Sequence, residues 1–162
     1  MYRCKIIRIL ESGFFDETSK SIEICEKMLK EHGYHFAGFF DVQPVMSDLK
    51  ECIYAASRSN DMVIILGGTG LYKEDIGPEA VLSLVDKRAT GIETAMMRHA
   101  IVADSSLCLY RVAAGTIRES LILCIPGYHK SVANYLDPVI DVLKPLFDGW
   151  KERAEASGEE NA

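Results

Sequence analysis

The sequence has no cluster of basic residues, and its 18 Lys and Arg are outnumbered by 24 Asp and Glu, which gives a net charge of −6. Proteins that bind nucleic acid through its phosphates carry a basic face. We therefore expect no nucleic-acid partner. The negative net charge is compatible with a small anionic ligand, because such a ligand needs only a few local hydrogen-bond donors.

Long apolar runs are also absent, and none approaches the roughly 20 residues that a membrane span requires. The apolar stretch near the N-terminus, around Ile6 and Ile7, is too short for a signal peptide. The five cysteines form no Cys-x-x-Cys pair, and most of them lie in apolar stretches, as core cysteines of a reduced protein do. These features predict a cytoplasmic protein with no membrane partner and no cysteine metal cluster.

The 162 residues, of which 48% are apolar, are about one domain's worth. Strand-like and helix-like segments alternate through the first half, which indicates a parallel sheet with helical crossovers. Two later strand-like runs, 107–114 and 120–125, are joined by a short loop containing glycine, which indicates an antiparallel hairpin. We therefore predict an α/β fold: a three-layer α/β/α domain over residues 1–150, with a mostly parallel sheet, a late hairpin and a frayed polar tail at 151–162.

Apolar periodicity places the helices between these strands. Ser47 or Asp48 could cap the second helix, and Asp48 with Glu51 has the capping-box spacing. The last helix is interrupted by Pro138 and Pro145. The predicted helices cover residues 16–32, 48–59, 78–87, 91–102 and 128–147.

One stretch is unlike the rest of the chain. The apolar run Met62–Leu66 ends in Gly67-Gly68-Thr69-Gly70, which predicts a buried strand followed by a turn whose backbone N–H groups can approach an anion. The turn lacks the Gly-Lys-Ser/Thr ending of a P-loop, and Lys73 stands where a dinucleotide fingerprint needs its third glycine. Asp75 follows the turn, and Pro78 begins the next helix. The turn alone identifies no ligand.

Two other segments are expected at the same edge of the sheet: Ser47-Asp48 before one helix, and 126–130 at the end of the last strand. A helix starting at Tyr128 would attract phosphate through its N-terminal N–H groups, with Lys130 adding a positive charge. Each residue also has a simpler interpretation: Asp48 as a helix cap, Asp75 as a solvated loop acid, and Lys130 as a surface lysine.

The run from Gly67 to Ala80 resembles the signature of the molybdopterin-binding domain: Gly-Gly-Thr-Gly, four residues, Asp, then Pro-Glu-Ala. That domain occurs in molybdenum-cofactor biosynthesis proteins of the MoaB/Mog type, in gephyrin-like proteins and in competence-damage proteins. Ala113-Ala114-Gly115, followed by Ile125-Pro126-Gly127 and Lys130, is similar to the family's closing pattern. Ser12-Gly13 resembles its first Ser/Gly-rich loop.

The resemblance implies a function in molybdenum-cofactor biosynthesis, as a molybdopterin adenylyltransferase that binds molybdopterin and ATP with Mg²⁺. It implies that Asp48 and Asp75 are catalytic and hold the Mg²⁺, and that the protein forms a homotrimer or homohexamer. The substrate- and nucleotide-binding residues that it implies are Ser12, Gly13, Gly67, Gly68, Thr69, Gly70, Pro126, Gly127 and Lys130.

The sequence departs from the family pattern at several of these places. Tyr128-His129 stands where Ser/Asn-Pro is usual, Gly77 replaces a threonine, and Tyr110 replaces a serine. Each change removes a small polar group that could bind phosphate. Two alternatives to the adenylyltransferase therefore remain: a non-catalytic paralogue that binds molybdopterin or a nucleotide, and a different nucleotide reaction of the competence-damage type.

Overall fold

A computed structural model describes residues 1–160 of the chain. It contains six strands and six α-helices. In chain order they are β1 Tyr2–Ile9, α1 Phe15–Glu31, β2 Tyr34–Val42, α2 Met46–Ser57, β3 Met62–Leu66, α3 Gly77–Leu84, β4 Lys87–Arg88, α4 Thr90–Ala103, β5 Ala113–Ile117, β6 Ser120–Ile125, α5 Val132–Leu136 and α6 Lys144–Glu160. A short 3₁₀ helix, Ser105–Leu109, lies between α4 and β5.

The six strands form one sheet in the order β2-β1-β3-β6-β5-β4. The four strands from β2 to β6 run parallel, whereas β5 and β4 are antiparallel to their neighbours. Arg8, Leu66 and Ile125 lie side by side in register. The carboxyl ends of β1, β3 and β6 therefore meet at one edge, and the predicted α/β fold is confirmed.

Helices cover both faces of the sheet. Alternate residues of the central strands point to opposite sides, and because both sets are apolar, both faces must be buried. Ile64 packs in a core with α1, α4, α5 and α6. Ile65 packs in a second core with α2 and α3. All five residues of β3 are buried, as a strand with a layer of helices on each side requires.

The late hairpin is tighter than the sequence predicted. Gly115 was expected in the loop, but it lies within β5 and pairs with Ile122. The connection is only Arg118-Glu119, and Arg118 has a positive φ of 51°. A Cβ at position 115 would lie 2.7 Å from the carbonyl oxygen of Lys87. This glycine therefore lets the short strand β4 pair with β5.

Residues 107–112 are not a strand, contrary to our prediction. Asp104 accepts hydrogen bonds from the backbone and hydroxyl of Ser106 and begins the 3₁₀ helix. The backbone N–H of Arg111 then donates to the carbonyl of Thr69 at 2.9 Å. The segment pairs with the glycine turn instead of a strand, so β5 starts only at Ala113.

The predicted long helix 128–147 is also wrong, because a series of turns separates α5 from α6. Pro138 lies in those turns, and Pro145 lies in the first turn of α6, where a missing N–H costs little. The expected frayed tail is helical as far as Glu160; residues 161–162 lie outside the described part. No helix within residues 1–160 is long and apolar enough to cross a membrane.

Candidate functional site

A cavity of about 490 Å³ lies at the edge where β1, β3 and β6 end. Its wall comes from the loop after β1, the first turn of α1, Pro44, the glycine turn with Asp75, Tyr110, and the end of β6. In parallel α/β sheets this edge is the usual ligand site.

A larger cavity of about 790 Å³ lies at the opposite edge and contains none of the predicted site residues. Its wall mixes both charges, with three arginines facing two acids: Arg3, Arg58, Arg118, Asp61 and Glu119. Because the strand ends and the glycine turn converge on the smaller cavity, we take that one as the candidate site.

The glycine turn leaves β3 in a conformation that few other residues adopt. Gly67 and Gly68 have φ angles of 103° and 64°, in the range that glycine tolerates without cost. The N–H of Gly67 donates to the carbonyl of Ile125 at 3.1 Å, and the N–H of Gly77 donates to the carbonyl of Gly68 at 2.9 Å. The turn is thus fixed between the end of β6 and the start of α3.

Asp75 closes the far end of the turn. Its carboxylate accepts a hydrogen bond from the N–H of Tyr72 at 3.1 Å, and its own N–H donates to the carbonyl of Tyr72 at 3.0 Å. A Cβ at position 70 would collide with this carboxylate. Gly70 therefore lets Asp75 lie directly against the turn, where it lines the cavity.

Arg111 holds the turn in place. Its guanidinium donates to the carbonyls of Gly70 and Asp75, both at 3.0 Å, and forms an ion pair with Glu79. All three guanidinium nitrogens donate within the protein, and Arg111 does not line the cavity. Its contacts therefore support the turn from behind the cavity wall.

Glu11, which the sequence did not indicate, faces the other end of the turn. Its carboxylate accepts a hydrogen bond from the N–H of Gly68 at 2.7 Å. Burial raises the pKa of Glu11; the bond from Gly68 lowers it and the nearby charge of Asp75 raises it further. Two carboxylates of the wall therefore lie close enough to affect each other.

The segment after β6 is fastened to α1. The buried hydroxyl of Ser21 donates to the carbonyl of Gly127 at 2.6 Å. The backbone N–H of His129 donates to Glu17 at 2.9 Å, and its ring Nδ1 lies 2.6 Å from the same carboxylate oxygen. These contacts fix Tyr128, which lies between the two anchored residues, at the cavity wall.

Three aromatic rings form one side of the cavity. Tyr128 makes edge contacts with Tyr110 and Phe14, with ring centroids 5.1 and 6.1 Å apart. The hydroxyls of the two tyrosines are 3.4 Å apart. Two of these rings occupy positions where the family pattern has small polar side chains.

Residues 16–145 match the family model described as "Probable molybdopterin binding domain". The chain belongs to this family. The match spans the glycine turn, Asp75, Arg111 and the segment after β6. The resemblance found in the sequence is thereby confirmed.

Curated members of the molybdopterin-binding family match most of the chain. Molybdenum cofactor biosynthesis protein B of Bacillus cereus is 30% identical over 142 residues, which cover 85% of this chain and 83% of that protein. Molybdopterin adenylyltransferase of Helicobacter pylori J99 is 32% identical over 145 residues, covering 87% and 81%. Among solved structures, the molybdopterin biosynthesis enzyme MoaB of Thermus thermophilus has a TM-score of 0.79 and 26% identity, covering 93% of this chain and 96% of that chain.

Most of the predicted site residues line the cavity. They are Ser12, Gly67, Gly68, Thr69, Gly70, Asp75 and Gly127. Gly13, Asp48, Pro126 and Lys130 do not. Gly13 and Pro126 directly adjoin lining residues.

Asp48 is exposed in the first turn of α2, four residues after Pro44, which does line the cavity. The predicted cap and capping box are wrong: α2 starts at Met46, its N-cap is Val45, and no side chain caps it. The N–H of Leu49 bonds to the carbonyl of Val45 at 2.9 Å, so the helix starts two residues before Asp48.

Lys130 is exposed and lies in a turn, because α5 begins only at Val132 and has five residues. The predicted phosphate-binding helix start at Tyr128 is therefore wrong. Glu11, Phe14, Glu17 and Arg111 are among the residues of this region that the sequence did not indicate. Of these four, Arg111 alone could have been found, since it follows Tyr110, which departs from the family pattern.

Proposed function

We propose that this protein binds molybdopterin and ATP in the cavity at the glycine turn and adenylates molybdopterin, as a molybdopterin adenylyltransferase of molybdenum-cofactor biosynthesis. One observation carries the proposal: the family's Gly-Gly-Thr-Gly turn and Asp75 line one cavity together with the end of β6. Relatives named molybdenum cofactor biosynthesis protein B and molybdopterin adenylyltransferase cover most of the chain.

The reaction needs two anions to meet. A phosphate oxygen of molybdopterin attacks the α-phosphorus of ATP; the new P–O bond forms as the bond to the β-phosphate breaks, and pyrophosphate leaves. The attacking oxygen is already anionic, so no strong base is required. The glycine turn and the segment after β6, held by Ser21 and Glu17, supply a rigid surface on which both substrates are oriented.

Mg²⁺ suits this wall. The ion is usually held by one or two carboxylates together with substrate phosphates and waters. Asp75 and Glu11 line the cavity, and burial together with the charge of Asp75 raises the pKa of Glu11, so a bound dication would relieve their mutual repulsion. When bound, Mg²⁺ would supply neutralisation of the phosphate charge. Asp48, four residues after the lining residue Pro44, is the other carboxylate that the resemblance assigns to this ion.

The test is direct. The protein is incubated with molybdopterin, MgCl₂ and ATP, and adenylated molybdopterin and pyrophosphate are measured. We expect both products in equal amounts. Formation of neither, with substrate binding confirmed by calorimetry, would contradict the proposal.

A second candidate is a binding protein that holds molybdopterin or a nucleotide without turnover. The aromatic wall of Phe14, Tyr110 and Tyr128 favours it, because these rings provide packing surface and few phosphate donors. Tight pterin binding without pyrophosphate release would support this candidate.

The proposal also includes the cellular compartment and the oligomeric state of the protein. Composition predicts a cytoplasmic protein, and the family resemblance implies a homotrimer or homohexamer. Edge strand β2 exposes Phe39 and Phe40, each about half accessible, and exposed apolar edges are typical of association surfaces. Light scattering would give the number of chains per particle.

A further inference from the structure

The charged side chains that line the cavity, among the described residues, are all acidic. Four acids, Glu11, Glu17, Glu74 and Asp75, contribute to its wall, and among residues 1–160 no Lys, Arg or His does. Arg111 is bound behind the turn, and Lys130 is exposed and does not line the cavity. Glu17 contacts the ring of His129, but the wall itself offers no basic side chain, so a phosphate that enters alone meets carboxylates of like charge.

The backbone donors of the turn are also partly engaged. The N–H of Gly68 donates to Glu11 at 2.7 Å, and the N–H of Tyr72 donates to Asp75 at 3.1 Å. The N–H of Gly67 is bonded to Ile125 within the fold. A glycine turn attracts phosphate through free N–H groups, and here the N–H of Gly68 and that of Tyr72, two residues after the turn, already face carboxylates of the protein itself.

The aromatic side of the cavity offers a different kind of contact. Tyr128 is held between two anchored neighbours, and its carbonyl accepts hydrogen bonds from Ser131 and Val132, both at 3.0 Å. Its ring packs edge-on against Phe14 and Tyr110. A fixed ring at a cavity wall is a stacking surface for a planar heterocycle, and stacking needs no charge.

We propose that the cavity selects its ligand by a planar heteroaromatic ring packed against Tyr128, and that it admits phosphate groups only when a divalent cation screens their charge. The inference rests on the proposed function, since both substrates of that reaction carry such a ring and phosphate. Beyond that function, it assigns recognition of the ring to the aromatic wall. It also assigns to the lining carboxylates the repulsion of phosphate groups that carry no divalent cation.

Calorimetry tests this on the whole chain with three probes: adenosine, an unphosphorylated pterin, and ATP in either EDTA or MgCl₂. We expect at least one of the two uncharged ring compounds to bind without metal, and the arm that binds identifies the ring. We expect ATP in EDTA to bind at least tenfold more weakly than in MgCl₂. Glu11→Gln should strengthen the binding of ATP in EDTA.

Substitutions at Tyr128 test whether its ring is the surface that contacts the ligand. Tyr128→Ser should weaken binding of the ring compound at least tenfold, whereas Tyr128→Phe, which keeps the ring, should stay within about threefold of the unmodified protein. Tyr54→Ser, at the opposite edge of the sheet, is the matched control and should change nothing. Circular dichroism confirms that each variant is folded.

Two results would overturn the inference. One is that neither uncharged ring compound binds, or that Tyr128→Ser binds it as the unmodified protein does. The other is that ATP binds equally well with EDTA and with MgCl₂, a comparison that needs no variant. The adenylyl-transfer assay tests the proposed function separately. If the ring compound binds but no adenylated product forms, this inference holds and the adenylyltransferase proposal fails. If product forms and ring binding does not depend on Tyr128, the adenylyltransferase proposal holds and this inference fails.

Discussion

At the scale of single residues, two carboxylates hold the ends of the glycine turn. Glu11 accepts from Gly68, and Asp75 accepts from Tyr72. Both side chains therefore have a structural contact in addition to any ligand they hold. A substitution at either position should therefore remove the charge while keeping an oxygen that can accept the hydrogen bond.

Asp75→Asn removes the charge and keeps an oxygen that accepts the hydrogen bond from Tyr72. We expect adenylyl transfer to fall by about 10²–10³-fold, because the site loses a carboxylate for Mg²⁺. The free energy of unfolding should change by less than about 0.5 kcal/mol, as for a substitution that keeps its contacts. Transfer kinetics and urea unfolding measure the two effects; full activity would exclude Asp75 from the site.

Asp48→Ala tests whether this residue caps α2. Since no side chain caps this helix, the loss is limited to the interaction with the helix dipole, about 0.3–1 kcal/mol, which the helix propensity of Ala partly offsets. We expect a net change below about 0.5 kcal/mol in urea unfolding, whereas loss of a true cap costs about 1 kcal/mol.

Activity of Asp48→Asn is the companion measurement. A fall of at least tenfold with unchanged stability would place Asp48 at the bound substrates. Unchanged activity would leave Asp75 and Glu11 as the carboxylates of the site.

Asp75 could be found from the sequence because it follows the glycine turn at a fixed spacing. Glu11 could not, because it lies in a polar break after β1 and meets Gly68 only when β1 and β3 pair in the sheet. The contact joins residues 57 positions apart, and no local pattern encodes such a pairing.

At the scale of elements, the segment after β6 depends on α1 more than on its own helix. α5 has only five residues. Glu17, in the first turn of α1, instead receives both the backbone N–H and the ring nitrogen of His129. These contacts, chiefly the backbone hydrogen bond, hold the pKa of Glu17 below its ordinary value.

This junction predicts a pH dependence. A carboxyl group whose pKa is lowered by folding stabilises the fold above its unfolded pKa, near 4.5, and this stabilisation is lost as the pH falls through the lower, folded value. Urea unfolding from about pH 6 to about pH 3 should therefore show a smaller loss of stability in Glu17→Gln than in the unmodified protein. Glu23→Gln, exposed on the same helix, should retain the steeper dependence; equal slopes for all three proteins would contradict the assignment.

The sequence predicted the strands and helices of the first half because their apolar periods are regular. It failed at residues 107–112 and after Tyr128, where long-range contacts decide the local structure. Gly77 is another position where a long-range contact, not the local sequence, determines the residue. Its Cβ would lie 2.7 Å from the carbonyl oxygen of Gly67 and 2.8 Å from the sulfur of Cys124. In this chain a threonine at position 77 would collide with the glycine turn, because α3 packs closely on it. The sequence alone does not reveal this packing.

At the scale of the whole molecule, α6 secures the start of the chain. Phe147 is 1% exposed and packs against Tyr2 and Tyr34, with ring centroids 5.1 and 6.2 Å away. Trp150 packs on Phe147, whereas residues 152–158 are exposed. We therefore predict that the domain needs α6 as far as about residue 151.

Truncation tests this boundary. A chain ending at Lys151 should unfold within about 2–4 °C of the full chain, which corresponds to about 1 kcal/mol for a protein of this size. A chain ending at Leu143 should lose at least about 3 kcal/mol, because it lacks the buried ring of Phe147 and uncovers Tyr2 and Tyr34. Thermal unfolding followed by circular dichroism measures both; equal destabilisation of the two chains would contradict this boundary.

The α/β/α architecture was predictable from alternating elements and from the uninterrupted apolar run of β3. The position of β6 was not, because the sequence shows that β6 pairs with β5 but not that it also pairs with β3. That second pairing brings Gly127 and Tyr128 to the cavity.

The same strand order has a consequence for synthesis on the ribosome. β3 is complete at residue 66, yet its second neighbour, β6, emerges only some 60 residues later. Throughout that interval the growing chain carries an unpaired, wholly apolar strand edge, which is a template for wrong pairing with other chains. Once β6 emerges, it covers this edge and completes the cavity. A nascent chain stalled before residue 120 would therefore lack the ligand site and expose the edge of β3 to other chains.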